Sequence, residues 1–334
     1  MDQSLRRPDC LNTIRLLAAL QVVFMHTKAH LQLNVPEFVS WLLGFFSGVP
    51  IFFTLSGFLI WQSIGRSRSC SDYVRKRFWR IYPELWCAVV IEAIVIFVLG
   101  YQLIRWPDFG LFLIGQSTIL QFWTPDSLRS YGCGVPNGSL WTICVIIQFY
   151  LVAWPLHKFI SSRSIFRWLI SISLLVIVSV ITNILYRDSV GFKLLSNSII
   201  PYLWMFSLGA MIAEYRDKVV PVLIKYWWIP LMLFIFVKTM DYDVHGLKYG
   251  VLFTVLLSLS CLAIGYRFPS LNVASDISYG VYIYHMTVVN AVLIVFGVGG
   301  IWWLQLALVI AITCLLSYLS AKTIGLYGLK KKNQ

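Results

Sequence analysis

The sequence predicts an all-α membrane protein, a bundle of about ten transmembrane helices with both termini in the cytoplasm. Of its 334 residues 59% are hydrophobic and only 12% are charged, whereas charged residues make up about 25% of a soluble domain. Apolar runs approaching 20 residues, the length that a spanning helix needs, recur along the chain. They place the predicted spans near residues 11–30, 41–64, 83–101, 138–159, 165–186, 197–215, 224–240, 247–266, 277–296 and 302–324. The shorter apolar segment 108–124 is expected to be interfacial or re-entrant.

The net charge of +13 follows membrane topology and gives no reason to expect nucleic-acid binding. With ten spans, most basic residues fall on one side, among them Arg6, Arg7, the cluster from Arg66 to Arg80, and Lys330 to Lys332. The positive-inside rule assigns that side to the cytoplasm, and an even number of spans agrees. The seven cysteines show neither metal-ligand spacing nor a disulfide framework, so no metal site is predicted. No shift in composition divides the chain, which predicts a single transmembrane domain over residues 1–334.

Two ionisable residues, Arg15 and His26, lie in the first apolar run with no charge between them. Eleven helical residues turn the chain through about 1100°, so both side chains share one stripe, about 16 Å apart along the axis. Ionisable residues at membrane depth usually face a bundle interior and mark function. An imidazole can take a proton from a hydroxyl at neutral pH, which makes His26 a candidate catalytic base. The alternatives are a buried histidine that only bonds a carbonyl, and an arginine that snorkels to the interface.

Two further stretches could bind an anionic or extended ligand. Arg77 and Arg80 share a helix face before the third span and could hold phosphates, or could be topology signals that bind anionic lipid headgroups. Phe53, Ser56 and Gly57 form a small surface that a long ligand could approach closely. Helix packing would explain the second stretch equally well.

The remaining candidates are polar and aromatic residues in two segments. Asn137, Ser139 and Trp141 lie where a Gly-rich loop meets the fourth span, and could bind a sugar by hydrogen bonds and ring contact. A plain helix cap with an interfacial tryptophan is the alternative. Tyr282 and His285 lie in the ninth span, where an imidazole needs a partner, either a ligand or a neighbouring helix.

Together these stretches resemble the integral-membrane acyltransferase family 3. The matching elements, in chain order, are Arg15 and His26; Phe52, Phe53, Ser56, Gly57 and Phe58; Arg77 and Arg80 followed by Ile81, Tyr82 and Pro83; Ser139 to Thr142; and Ser278 to Tyr282. Order and spacing hold over roughly residues 9–290. The resemblance implies a stand-alone O-acyltransferase, most simply an O-acetyltransferase, in the cytoplasmic (inner) membrane of a bacterium. Some family members carry a fused extracytoplasmic hydrolase-like domain, which is not expected here.

The resemblance also assigns roles to the candidate residues. The acyl group would come from cytoplasmic acyl-CoA, most simply acetyl-CoA, which is a substrate and not a permanently bound cofactor. It would pass to a hydroxyl of a surface polysaccharide or lipid-linked sugar, such as lipopolysaccharide O-antigen. The implied roles are catalysis for His26 and Arg15, acyl-CoA binding for Arg77, Arg80, Phe53, Ser56 and Gly57, and acceptor binding for Asn137, Ser139, Trp141, Tyr282 and His285. Membrane lipids are the remaining expected partners, and the sequence leaves the oligomeric state open.

The chain departs from the family pattern in ways that leave a question open. The Glu common in the fourth span is Ile146 here, and Gln148 is the nearest polar group. If that Glu orients the catalytic histidine, another group must do so in this chain. Two other functions also stay open, a transporter or flippase for a lipid-linked or anionic substrate and a scaffold without catalysis.

Overall fold

The computed structural model describes residues 9–161, 164–186, 192–240 and 249–325. Within these residues the secondary structure is helical, and no strand is present, which confirms the predicted all-α fold. The α-helices, numbered α1 to α14 in chain order, are Leu11–His30, Glu37–Gly44, Gly48–Ile64, Cys70–Leu99, Trp106–Gln116, Trp141–Ile160, Ile165–Tyr186, Phe192–Ser196, Leu203–Glu214, Arg216–Lys225, Trp228–Thr239, Val251–Arg267, Ser278–Phe296 and Trp302–Ser320. The terminal charges Arg6, Arg7 and Lys330 to Lys332 lie outside the described residues.

Six stretches of the described chain are long and apolar enough to cross a membrane, and a seventh is added if α10 and α11 form one span bent by 75°. The helix α1 is not among them because Arg15, His26 and Lys28 lower its hydropathy. The helices α9 and α12 are apolar but only 12 and 17 residues long. An integral membrane protein is therefore confirmed, whereas the count of ten spans and the cytoplasmic termini stay predictions.

Several helix bounds differ from the predicted spans for local reasons. The predicted span 41–64 is interrupted between α2 and α3, and Pro50 lies in the first turn of α3, where its missing N–H is not needed. The helix α4 begins at Cys70, well before the predicted residue 83. The prediction began too late because the first turns of α4 are polar and give no hydropathy signal. The apolar segment 108–124 forms the short helix α5 and the loop after it.

The chain divides into two compact units. The first contains the described residues of 9–15, 48–73 and 145–274, and the second those of 16–47, 74–144 and 275–325. In the first unit α3 packs against α9 with backbones in close approach: a Cβ built on Gly57 would lie 1.9 Å from the Phe206 carbonyl oxygen, and one on Gly209 would lie 1.9 Å from that of Thr54. Small residues permit such contact between membrane helices. The predicted single domain stays a prediction.

The second unit packs α13 against α14 and fixes α5 and the following loop to α4. The contact is an apolar cluster of Ile96, Phe109, Phe112, Leu128 and Tyr131. Burying such side chains stabilises each by roughly 1.5–3 kcal/mol relative to exposure in water. This cluster packs the long loop before α6 against α4 and α5.

Candidate active site

The centre of the candidate site is a pair of histidines in the second unit. His26 Nδ1 in α1 lies 2.8 Å from His285 Nε2 in α13, although the two residues are 259 positions apart in the chain. The rings are inclined by only 21° and their centroids are 5.1 Å apart, so the nitrogens are much closer than the ring centres. The imidazoles therefore meet edge to edge through a hydrogen bond. His285 is fully buried, whereas His26 is partly exposed.

The buried histidine is held by its own helix and by the segment before α6. His285 Nδ1 lies 2.6 Å from the Tyr282 carbonyl oxygen, one turn earlier in α13. The Tyr282 hydroxyl accepts a hydrogen bond of 2.8 Å from Thr142 and lies 3.4 Å from the Ser139 carbonyl oxygen. The ring and the carbonyl of Tyr282 thus link the histidine pair to the start of α6.

The Gly-rich segment itself is bonded to α13. Asn137 Nδ2 donates to the Ile283 carbonyl oxygen at 2.9 Å, and Ser139 Oγ donates to Asn137 Oδ1 at 2.7 Å. Both side chains are buried. They position the segment beside the histidine pair, and the acceptor-binding role assigned to them stays a prediction. Trp141, the first residue of α6, is partly exposed.

Asn290 was missed by sequence analysis, although it binds the same loop. Its Oδ1 accepts from the Cys133 N–H at 2.8 Å, and its Nδ2 donates to the carbonyl oxygens of Val135 at 3.0 Å and Pro136 at 2.7 Å. Gly132, at a φ of +53°, passes so close that a Cβ would lie 2.1 Å from Asn290 Oδ1. A lone amide in an apolar helix was the available signal, because a buried amide needs hydrogen-bond partners.

The predicted phosphate-binding arginines lie in α4. Arg80 Nη2 forms an ion pair of 2.7 Å with Asp276 Oδ2, and both side chains are partly buried. The other oxygen of Asp276 accepts from the backbone N–H of Ser278 at 3.2 Å and from its hydroxyl at 2.5 Å, at the start of α13. Arg77 is partly buried one turn earlier in α4. Asp276 was missed because it lies just before the matching stretch Ser278 to Tyr282, and nothing in the local sequence indicates a partner 196 positions away.

The other predicted donor-binding residues belong to the first unit. Phe53 is fully buried and its ring packs against those of Phe149 and Tyr202, 5.3 Å and 5.1 Å away between centroids. Gly57 lies against the backbone of α9, so helix packing accounts for its lack of a side chain. Ser56 and Arg15 are partly exposed. The acyl-CoA contacts of Phe53, Ser56 and Gly57 and the catalytic role of Arg15 stay predictions.

Of the residues predicted for the site, the structure brings together His26, His285, Tyr282, Asn137 and Ser139. This arrangement presents one partly exposed imidazole whose second nitrogen is bonded to a buried partner. Such a group can accept and return a proton or act as a nucleophile. Among the described residues, no cluster of His, Cys, Asp or Glu could hold a metal ion.

Comparison with known proteins agrees with this chemistry. The family model described as an acyltransferase domain matches residues 9–322. The chain is similar to Nodulation protein 10 of Rhizobium leguminosarum bv. viciae, with 29% identity over 87% of this chain and 85% of the relative. It is similar to the O-acetyl transferase of Shigella phage Sf6, with 31% identity over 86% of this chain and 87% of the relative.

A third relative is the peptidoglycan O-acetyltransferase OatA of Listeria monocytogenes, 24% identical over 83% of this chain but only 48% of that longer protein. No solved structure matches the chain. The chain belongs to the acyltransferase domain family and is an integral-membrane O-acetyltransferase.

Proposed function

We propose that this protein transfers an acetyl group from cytoplasmic acetyl-CoA to a hydroxyl of a surface polysaccharide or of its lipid-linked precursor, in a bacterial inner membrane. The observation that carries the proposal is the partly exposed imidazole of His26, bonded to His285 beside the segment that begins α6. Relatives named for O-acetyl transfer, one of them for peptidoglycan, support a glycan acceptor. Lipopolysaccharide O-antigen is the specific acceptor that we propose.

In the proposed reaction His26 acts on the acceptor hydroxyl. The hydroxyl oxygen attacks the thioester carbonyl carbon while the imidazole takes its proton, and the carbon–sulfur bond then breaks. The imidazolium returns the proton to the CoA thiolate, so that the acetyl ester and CoA are the only products. In a second route the imidazole nitrogen attacks the thioester carbonyl carbon and expels the CoA thiolate. The acceptor hydroxyl then attacks the acetyl-imidazole, the carbon–nitrogen bond breaks, and the hydroxyl proton passes to the thiolate. Both routes need the same ring nitrogen of His26 to be unprotonated.

The donor would bind through the arginines of α4. Arg77 and Arg80 would contact the phosphates of acetyl-CoA, since guanidinium groups bind phosphate with two parallel hydrogen bonds. The ion pair with Asp276 would hold Arg80 in one orientation before the donor arrives. Arg15 would contact the pantetheine arm or a phosphate, and Phe53, Ser56 and Gly57 are the further donor-binding residues that we propose.

The acceptor would bind beside the segment that precedes α6. Trp141 is partly exposed at the start of that helix, and an indole face can pack on the apolar face of a sugar ring. Asn137 and Ser139 already bond within the protein, so they would shape the acceptor pocket together with Tyr282.

Mass spectrometry of surface glycans tests the proposal. Cells expressing the wild type should gain the mass of one acetyl group on the polysaccharide, whereas His26→Ala should lower the yield by about 100-fold or more, the usual contribution of a general base. His157→Ala is the matched control, because it removes an imidazole of the first unit that packs on Trp61, and it should acetylate as the wild type does. No acetylation by folded wild-type protein, in cells and with purified glycan plus acetyl-CoA, would refute the proposal.

A transporter or flippase is the second candidate, favoured by Arg15 and His26 in one helix, since ionisable residues in membrane helices also mark transport pathways. Radiolabelled acetyl-CoA distinguishes the two. Label covalently attached to a glycan supports transfer, whereas movement of a substrate into vesicles without a covalent product supports transport.

A further inference from the structure

The hydrogen bonds around the histidine pair determine which nitrogen carries each proton. A backbone carbonyl oxygen can only accept a hydrogen bond. His285 Nδ1, 2.6 Å from the Tyr282 carbonyl oxygen, must therefore carry a hydrogen and donate it. A neutral imidazole has one N–H and one lone pair, so Nε2 of His285 holds the lone pair.

Burial supports the neutral form of His285. The side chain of His285 is fully buried, and an ionised group taken out of water without a counter-charge is strongly disfavoured. Its two ring nitrogens contact the Tyr282 carbonyl and His26, and neither partner carries a negative charge. A second proton would place an uncompensated cation in the interior of the unit.

We infer that His285 is a positioning residue that fixes the tautomer of His26 and makes Nε2 of His26 the reactive atom. Because His285 Nε2 can only accept, the 2.8 Å contact is a bond donated by His26 Nδ1. The lone pair of His26 is then on Nε2, which takes the hydroxyl proton or the acetyl group. This inference rests on the proposed function, since it names the atom that performs it.

The same bond stabilises the reacting state. When His26 gains a proton at Nε2, its ring becomes positively charged and its Nδ1–H still donates to His285. Hydrogen bonds from ionised donors are roughly twice as strong as neutral ones, so this bond becomes stronger. A carboxylate serves this purpose in Ser-His-Asp sites, where it holds the histidine tautomer. His285 Nε2 supplies this hydrogen-bond acceptor without adding a buried negative charge.

Two variants separate the hydrogen bond to His26 from the one to Tyr282. In His285→Gln the side-chain oxygen can reach the position of Nε2 and still accept from His26. In His285→Asn the shorter amide reaches only the position of Nδ1, so it can bond the Tyr282 carbonyl but not His26. We expect Gln to retain kcat within about tenfold and Asn to lose about 100-fold or more, with similar KM for acetyl-CoA in both. Equal activity of the two variants would overturn the inference.

A measurement on the wild type keeps the inference testable if either variant fails to fold. Nitrogen NMR of ¹⁵N-histidine-labelled protein in lipid nanodiscs reports which ring nitrogen is protonated, and comparison with His26→Ala assigns the His26 signals among the five histidines. We expect His26 to be protonated at Nδ1 and unprotonated at Nε2, and a proton on Nε2 would overturn the inference. The spectrum needs no acceptor, so an inactive protein with the expected tautomer would refute the proposed function alone.

Discussion

The substitution Gly57→Ala tests the close approach of α3 and α9. The new methyl carbon would lie 1.9 Å from the Phe206 carbonyl oxygen, 2.8 Å from its carbonyl carbon and 3.0 Å from its Cα. All three are backbone atoms, so no side chain can rotate away, and the helices would have to separate by about 1.5 Å to reach an ordinary contact distance of about 3.4 Å. Forcing an extra carbon into a packed interface costs about 1–3 kcal/mol, and the fixed backbone puts this site at the upper end.

Thermal unfolding of the purified protein in detergent, followed by tryptophan fluorescence, measures this cost. A loss of about 3 kcal/mol should lower Tm by on the order of 5–10 °C. Gly110→Ala in α5 is the matched control, because nothing lies within 4 Å of the added carbon and alanine favours a helix over glycine by up to about 1 kcal/mol. Its Tm should equal or exceed that of the wild type. If both variants melted alike, the described contact between α3 and α9 would be wrong.

Three further predictions concern the ion pair of Arg80, the loop before α6 and the membrane topology. Asp276→Asn should raise KM for acetyl-CoA severalfold with little change in kcat, since Arg80 loses its orientation; unchanged steady-state kinetics would argue against that role. Asn290→Ala should make the loop before α6 easier to cleave by an externally added protease, because its lost bonds cost about 1–3 kcal/mol for each buried group left unsatisfied; wild-type cleavage rates would contradict this. A membrane-impermeant maleimide should label the exposed Cys70 in inside-out vesicles but not in intact cells. The same reagent should label Cys133 slowly, because burial raises the pKa of the Cys133 thiol. Labelling of Cys70 from outside would reverse the predicted topology.

The histidine pair shows how far the sequence could lead. Each imidazole could be singled out from its own segment, because a titratable residue in an apolar helix needs a partner. Their contact could not be predicted, since no local pattern relates residues 259 positions apart. His285 was therefore assigned to the acceptor, and its bond to His26 became visible only when α1 and α13 were seen together.

Polar residues in loops were harder to interpret. Asn137 and Ser139 were predicted to bind a ligand, and in the structure they bond α13 and each other. A sequence cannot distinguish an amide that binds a sugar from one that binds a carbonyl of its own chain, because the chemistry is the same. Hydropathy likewise placed the start of the third span at residue 83, although α4 continues back through a charged stretch to Cys70.

Three contacts, two made by α13 and one made just before it, fix the position of His285 along the helix axis. Just before its start Asp276 pairs with Arg80, at its middle His285 contacts His26, and further along Asn290 binds the loop before α6. From Ser278 to Asn290 the helix advances about 18 Å at 1.5 Å per residue, and each residue turns it by about 100°. Inserting or deleting one residue between Ser278 and Asn290 would therefore turn one attachment away from the others. Whether these contacts can form together therefore depends on the number of residues in α13 as much as on their identity.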